Sequence, residues 1–251
     1  MTPVQVAPGI WAAGTRYVNY YVVDGGTTDG EGGLTLVDAG LPGYARRLGA
    51  TLSALGRTPA DVRAVLLTHG HVDHVGMSQP LADAGATVYL HDADLALAGD
   101  PRRNTTDRAL WRYLPYPATL AFVAHCVRER AVQHRGMPAV TPLRDGDVLD
   151  VPGRPRVIHA PGHTAGSCVL ELAEHGVVFV GDLLCTVNPV LGRPDVPQLQ
   201  TRGSNADSDR AMASLDRLAD VQAKTVLPGH GRAWTDGIEA ALDSARRVGC
   251  R

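Results

Sequence analysis

Short apolar runs alternate with glycine, proline and charged residues along the chain, and their lengths predict strands interleaved with helices. Tyr20 to Val23 and Leu34 to Val37 are strand-length runs, and the glycine-rich stretch from Asp24 to Gly33 between them predicts a loose hairpin connection. From Tyr44 to Leu55 the leucines Leu48, Leu52 and Leu55 share one helical face, and after Thr58-Pro59 the run Ala64 to Leu67 reads as a strand. The pattern continues with a helix over Ser78 to Ala84, a strand over Thr87 to Leu90 and a short helix over Ala93 to Ala98. Periodicity loosens from Gly99 to Val140, which predicts a partly helical insertion. The second half resumes with strands at Val157 to His159, Cys168 to Leu172 and Val177 to Val180. A helix over Asn205 to Ala219, a strand over Thr225 to Leu227 and a helix over Gly237 to Val248 complete it. The expectation is an α/β chain of two βαβ-like halves sharing one core. Residues 1–251 lack any Pro/Ser-rich linker, so they are expected to form a single domain.

Composition narrows the partners. With 251 residues, 24 basic and 26 acidic, the formal net charge is -2, which argues against general affinity for nucleic acid or anionic membrane. The insertion departs from this balance, with seven arginines against Asp100, Asp107 and Glu129. Its group Arg102, Arg103, Arg108 and Arg112 reads as a solvated face. Met1 to Ile10 carries no signal-peptide pattern, no apolar run is long enough to span a bilayer, and the four cysteines lack close pairing. A cytoplasmic protein is expected.

Three short polar segments carry candidate chemistry, each behind an apolar strand or a proline. The first is Thr68-His69-Gly70-His71-Val72-Asp73-His74. Residues two apart in extended chain project to one side, so His69 and His71 can grip one ion while the turn into a helix presents Asp73 and His74 to a neighbouring one. Pro161-Gly162-His163 and Pro228-Gly229-His230 are the second and third. Between them, the strand Val180-Gly181 ends in Asp182, a suitable bridging anion. Four ligand-type side chains in six residues are hard to explain as packing, because unpaired buried imidazoles and carboxylates are costly. His91, His125, His134 and His175 have no such neighbours and read as surface or packing residues; His159 reads as core, and Cys185 as a small buried hydrophobe close to the metals.

Taken together, these segments resemble the metallo-β-lactamase-fold hydrolase superfamily over nearly the whole chain. His69, His71, Asp73 and His74 match its HxHxDH motif, and His163, Asp182 and His230 match its later ligand positions. Val37-Asp38-Ala39-Gly40 resembles its first motif, in which the aspartate supports the metal loop. The resemblance implies an αββα four-layer sandwich with the site at one edge. By position, His69, His71 and His163 would hold one metal and Asp73, His74 and His230 a second, with Asp182 bridging. Two Zn2+ ions are the default, with iron or manganese also acceptable to this donor mixture. The implied chemistry is hydrolysis by water activated between two cations, with Asp73 as the catalytic residue that also orients the nucleophile.

Fold does not fix function. Asp182 and the unexported character count against β-lactam hydrolysis, and the slightly acidic chain of this length counts against the nuclease branches. Quorum-signal lactonases often carry tyrosine where this chain has Cys185. The glyoxalase II branch has the same ligands but usually adds a helical glutathione-binding domain, whereas little more than the helix over Gly237 to Val248 follows His230. A hydrolase of a thioester or ester in a small-molecule substrate is the leading expectation. The alternatives are a lactonase, a non-catalytic ligand-binding protein, and a persulfide dioxygenase-like enzyme with one iron on His71, His163 and Asp182. Gly192-Arg193-Pro194-Asp195 faintly resembles an element of that last family. The insertion over residues 99–140 is expected to cover the site, with Trp111, Tyr113 and Tyr116 as an apolar substrate-binding wall and nearby arginines meeting an anionic group; Arg232 and Trp234 are further rim candidates. The resemblance leaves a homodimer open.

Overall fold

The computed structural model describes residues 3–25, 32–134, 136–192 and 195–251. Its first sheet holds β1 (Val4–Ala7), β2 (Ile10–Gly14), β3 (Asn19–Asp24), β4 (Leu34–Val37), β5 (Val62–Leu66), β6 (Thr87–His91) and β7 (Val140–Leu143), side by side in chain order. From β1 to β4 the strands form an antiparallel meander, and from β4 to β7 they run parallel. The parallel half needs crossovers. These are supplied by α1 (Ala45–Ala54), by the pair α2 (Val72–Val75) and α3 (Ser78–Asp83), and by the segment holding α4 (Leu95–Gly99) and α5 (Pro117–Arg128).

The second sheet has the order β11 (Thr225–Pro228), β10 (Val177–Gly181), β9 (Cys168–Leu172), β8 (Arg156–His159). Here the expected βαβ plan holds only once. β8, β9 and β10 are antiparallel, and only β10 and β11 pair in parallel, through α6 (Ser208–Ser214). The reason is connection length: the β8–β9 and β9–β10 links are too short to carry a helix across the sheet. α7 (Ile238–Val248) closes the chain. Asp207 caps α6 by accepting from Arg210 N, so the helix starts later than the apolar pattern suggests.

Strand alternation builds the layers. In β3, Tyr20 and Val22 join the core beneath α1, while Tyr21 and Val23 face the second sheet. In β10, Val178 and Val180 pack against α6 and α7, while Val177 and Phe179 meet the first sheet. The result is helix, sheet, sheet, helix. The ends of β5, β10 and β11, with the loops after them, open on one edge of this sandwich. Among the described residues no helix is long and apolar enough to cross a membrane.

Candidate metal centre

β5 delivers Thr68 and His69 to that edge. Asp38, just after β4, fixes the turn that follows: it accepts from Thr68 N at 2.8 Å and from the Thr68 hydroxyl at 3.0 Å, and its other oxygen lies 2.8 Å from His74 Nδ1. Asp38 is buried in the left-handed region at φ 61, which aspartate tolerates better than most residues. With Nδ1 on a carboxylate, His74 points Nε2 into the site, the arrangement typical of metal-ligating histidine. The sequence expectation that Asp38 supports the loop thus has a geometric basis.

Two further histidines are aimed in the same way by their outer nitrogens. His163 Nδ1 lies 3.0 Å from Asn205 Oδ1, and His230 Nδ1 is held by the Tyr17 carbonyl. Asn19 Nδ2 donates to both Pro228 O and Gly231 O, at 2.9 and 2.8 Å, so the β2–β3 hairpin clamps the loop that carries His230. Gly229 must be glycine, because a Cβ there would fall on Asp182 Oδ1 and on the His74 ring. Asp182, at the end of β10, is held by Gln200 Nε2 at 3.0 Å.

All seven sequence-predicted ligands are brought together. His69, His71 and His163 form one group that could hold a metal ion, and Asp73, His74 and His230 another. Asp182 joins His69 and His74 in a third, and within each group the ligand atoms lie within 4.8 Å of one another. His230 Nε2 is 2.9 Å from Asp182 Oδ2, His163 Nε2 is 3.5 Å from the same oxygen, and His74 Nε2 is 3.5 Å from Asp182 Oδ1. Three buried atoms of this cluster, His69 Nε2, His74 Nε2 and Asp182 Oδ1, have no hydrogen-bond partner. Buried polar atoms are nearly always satisfied, so imidazole and carboxylate atoms orphaned at one point are what a cation site requires.

Electrostatics divide the cluster. Burial, reinforced by His74, His163 and His71, holds His69 well below the usual imidazole value, and burial pushes His163 down to about 3. Burial opposes charge on His74 as well, but Asp38, Asp182 and Asp73 outweigh it and raise that ring to about 10. His230 is raised against burial by Asp182 and Asp73. Burial disfavours the Asp182 carboxylate, yet His230, His74 and His163 hold it well below the usual range. His69 and His163 are therefore held neutral, while carboxylates crowd His74 and His230.

A family model described as the metallo-beta-lactamase superfamily matches residues 13–230. The chain belongs to that superfamily. Over 234 residues it is 30% identical to the acyl-coenzyme A thioesterase MBLAC2 of Gallus gallus, covering 88% of this chain and 74% of that protein. It is 27% identical over 222 residues to the hydroxyacylglutathione hydrolase GloC of Haemophilus influenzae, covering 84% and 86%. Among solved structures, TTHA1623 in a di-iron-bound form matches with a TM-score of 0.60 at 30% identity, over 93% of this chain and 96% of that one. Superfamily membership agrees with the layer order derived above.

On this superfamily frame a cleft of about 340 Å³ opens beside the cluster, with His71, Asp73, His163, Asp182 and His230 along one wall. The opposite wall comes from the 99–140 segment, but not from the aromatics expected there. Leu110, Phe122, Val123, Cys126 and Val127 line it. Trp111 points to solvent at 66% exposed, Tyr116 is 40% exposed, and Tyr113 is buried, donating to the Arg251 carbonyl at 3.0 Å. The expected wall of Trp111, Tyr113 and Tyr116 is corrected accordingly. Aromatic composition marks a segment that covers something, not the face it covers with. The periodic signal was present in Pro117–Arg128, where Phe122, Val123, Cys126 and Val127 recur at helical spacing.

Other expected positions fall outside the cleft. Cys185 is fully buried beside Asn188, consistent with the packing role read from sequence. Trp234 packs into the core under α7, with Nε1 donating to Gly237 O, and Arg232 pairs with Asp195 at 2.8 Å. Arg102 pairs with Asp100, and Arg112 lies over the Trp111 ring, so this group is a solvated face. His91 and His159 stack on each other at 4.1 Å, away from the ligands. Within the glycine-arginine element noted in the sequence, Arg193 and Pro194 lie outside the described residues.

Sequence reasoning missed Asp94. Its buried carboxylate accepts from Gly70 N at 2.8 Å, Gly166 N at 2.7 Å and the Thr164 hydroxyl at 2.6 Å. It thereby ties the loop of His69 and His71 to the loop of His163. In Asp92-Ala93-Asp94 nothing distinguishes it from a surface residue, so no local signal could have found it.

Proposed function

We propose that this protein is a hydrolase that uses two divalent cations to cleave a thioester or ester bond in a small-molecule substrate. His69, His71 and His163 would hold one ion and Asp73, His74 and His230 the other, with Asp182 shared between them. The observation that carries the reading is the convergence of seven ligand-type side chains, with three orphaned buried atoms among them, five of the seven residues lining one cleft. The names of the similar MBLAC2 and GloC, both thioester hydrolases, support the thioester. Zinc suits the imidazole-rich set; the di-iron form of TTHA1623 keeps iron as the alternative, and manganese also accepts these donors.

When bound, such cations make water acidic and polarise a carbonyl oxygen. The chain's own residues do the rest. Asp73 borders the cleft with its carboxylate 3.7 Å from His74 Nε2 and 3.6 Å from His230 Nε2, where it orients the attacking water and accepts its proton. In hydrolysis the water oxygen bonds to the acyl carbon, the carbon–sulfur bond breaks, and the leaving sulfur takes up the proton held by Asp73 and departs as a thiol. The apolar wall keeps competing water away from the acyl group. The free state of all four cysteines supports a reducing, cytoplasmic setting.

Elemental analysis of protein purified without added metal, paired with electron paramagnetic resonance, tests the centre. Near two zinc ions per chain, with turnover of thioesters, supports the hydrolase. Near one iron per chain, with oxygen consumed in the presence of persulfides, overturns it in favour of the dioxygenase.

A further inference from the structure

The cleft beside the ligand cluster has an unusual division of chemistry. Apart from the ligand residues themselves, its lining contains no charged side chain among the described residues. Most of its polar groups are committed: the Thr119 hydroxyl donates to Val190 O at 2.8 Å, Asn104 Oδ1 sits 3.1 Å from His71 Nε2, and Gln200 Nε2 is bound to Asp182, leaving Gln200 Oε1 as a buried acceptor without a partner. Burial pushes the Cys126 thiol up, so that wall residue is neutral. Apart from Gly203 and Ser204, whose hydroxyl lies 3.0 Å from that of Thr201, the rest is aliphatic or aromatic.

The apolar surface does not stop at the mouth. Leu110, Val123, Val127 and Val132 line the cleft and are also substantially exposed, with Val132 at 78%, and Leu120 extends the strip along α5. On the inner side the same helix is anchored: His125 Nε2 lies 2.6 Å from the Tyr44 hydroxyl, and Phe122 packs on the core. α5 thus shows apolar residues on both faces. One face is explained by packing, whereas the other runs without a break from the reaction centre to solvent.

We infer that this strip and cleft hold the acyl chain of the substrate, and that the protein selects thioesters or esters with extended apolar acyl groups. The inference rests on the hydrolase reading above for the identity of the bond. It follows from which end of a thioester the cleft can accept. Charged thiol carriers would lose hydration in a cleft whose described lining offers no opposite charge beyond the ligand cluster, whereas methylene groups gain by leaving water. The acyl end therefore lies inward along Phe122, Val123 and Val127, and the thiol end remains at the solvent side. Continuity with the ligand cluster distinguishes this strip from a subunit contact, which would need no reaction centre at its end.

The test is equilibrium binding, by calorimetry on the full chain, of non-hydrolysable S-butyl, S-octyl and S-dodecyl thioethers of N-acetylcysteamine. Affinity is expected to rise about tenfold or more from butyl to octyl. The exposed double substitution Val123→Asp with Val127→Asp should flatten the series while the melting temperature stays unchanged. A flat series in the parent protein overturns the inference. So does a rise that survives the double substitution, or a double variant whose only change is dissociation of a dimer, which would make the strip a contact between two copies. Hydrolysis of the matching thioesters separates the two readings. Rising thioether affinity with no turnover of any thioester removes the hydrolase and leaves the cleft assignment standing; turnover independent of chain length does the reverse.

Discussion

The ligand loops and the 99–140 segment face each other across one cleft, yet they are stabilised in opposite ways. On the ligand side, Asp38, Asp94, Asn19 and Asn205 spend their polar groups on loop backbone and ring nitrogens, so the rings of His74 and His163 and the loops around them are held by second residues. On the facing side, α5 is pinned by few polar contacts, chiefly His125 on Tyr44 and Thr119 on Val190 O, and leaves Leu120, Val123 and Val127 in water. Chemistry needs fixed ligand positions, which hydrogen bonds provide through their directionality. Recognition of a flexible apolar group needs area, which is non-directional.

The sharpest way to break this contrast is on the ligand side. Asp73→Ala should lower kcat/KM by at least ~3 kcal/mol in activation free energy, because on the proposed mechanism it removes a ligand and the group that orients water. Steady-state kinetics within a few-fold of the parent would show that the loop is not the reaction centre. A smaller but still large effect is expected on stability from Asp94→Ala, which strands two buried backbone N–H groups and the Thr164 hydroxyl. The cost should be about 3 kcal/mol in urea unfolding, with Asp94→Asn recovering part of it. Loss below about 1 kcal/mol would mean the two loops are held together by something else.

Substitutions on the facing side sharpen the comparison by their mildness. Val127→Asp should change unfolding free energy by no more than ~0.5 kcal/mol, since the residue is 56% exposed. A much larger loss would show that α5 is packed by contacts its exposure conceals. The smallest effect is one of pH. Burial depresses His125, whose Nδ1 accepts from Arg128 at 3.0 Å, so the folded protein resists its protonation more than the unfolded chain does. Its contribution is fully present above the unfolded value of 6.5 and declines as pH falls below it toward the lower folded value. Melting temperature should therefore fall more between pH 7 and pH 5 in the parent than in His125→Gln; equal slopes would remove His125 as the titrating group.

Much of this was legible along the chain because it is local. Strands such as Val177–Gly181 are unbroken apolar runs, and the ligands cluster in segments where proline, glycine and histidine cannot all be packing residues. Three strands were not legible. β1 is short and largely exposed at Val4 and Gln5, β2 has one buried residue at each end, and β7 contains Pro142. Each becomes a strand by pairing with a neighbour, not by its own pattern. The direction of β8 to β10 was misread because apolar runs of equal length do not record whether they pair parallel or antiparallel.

What the sequence determined by itself was the grouping of His69, His71, Asp73 and His74, since covalent spacing of one, two or three residues already limits where those side chains can meet; His163, Asp182, His230 and the supporting role of Asp38 came from resemblance to a family. Only tertiary structure decided what faces them. Asp94, Asn205 and Gln200 reach the site from distant segments, and the side of α5 that meets the cleft depends on where His125 anchors the helix. Contacts between residues far apart in the chain are set by the packing of whole layers, and the local pattern of a segment, such as the apolar spacing in α5, does not record which distant residues it will meet.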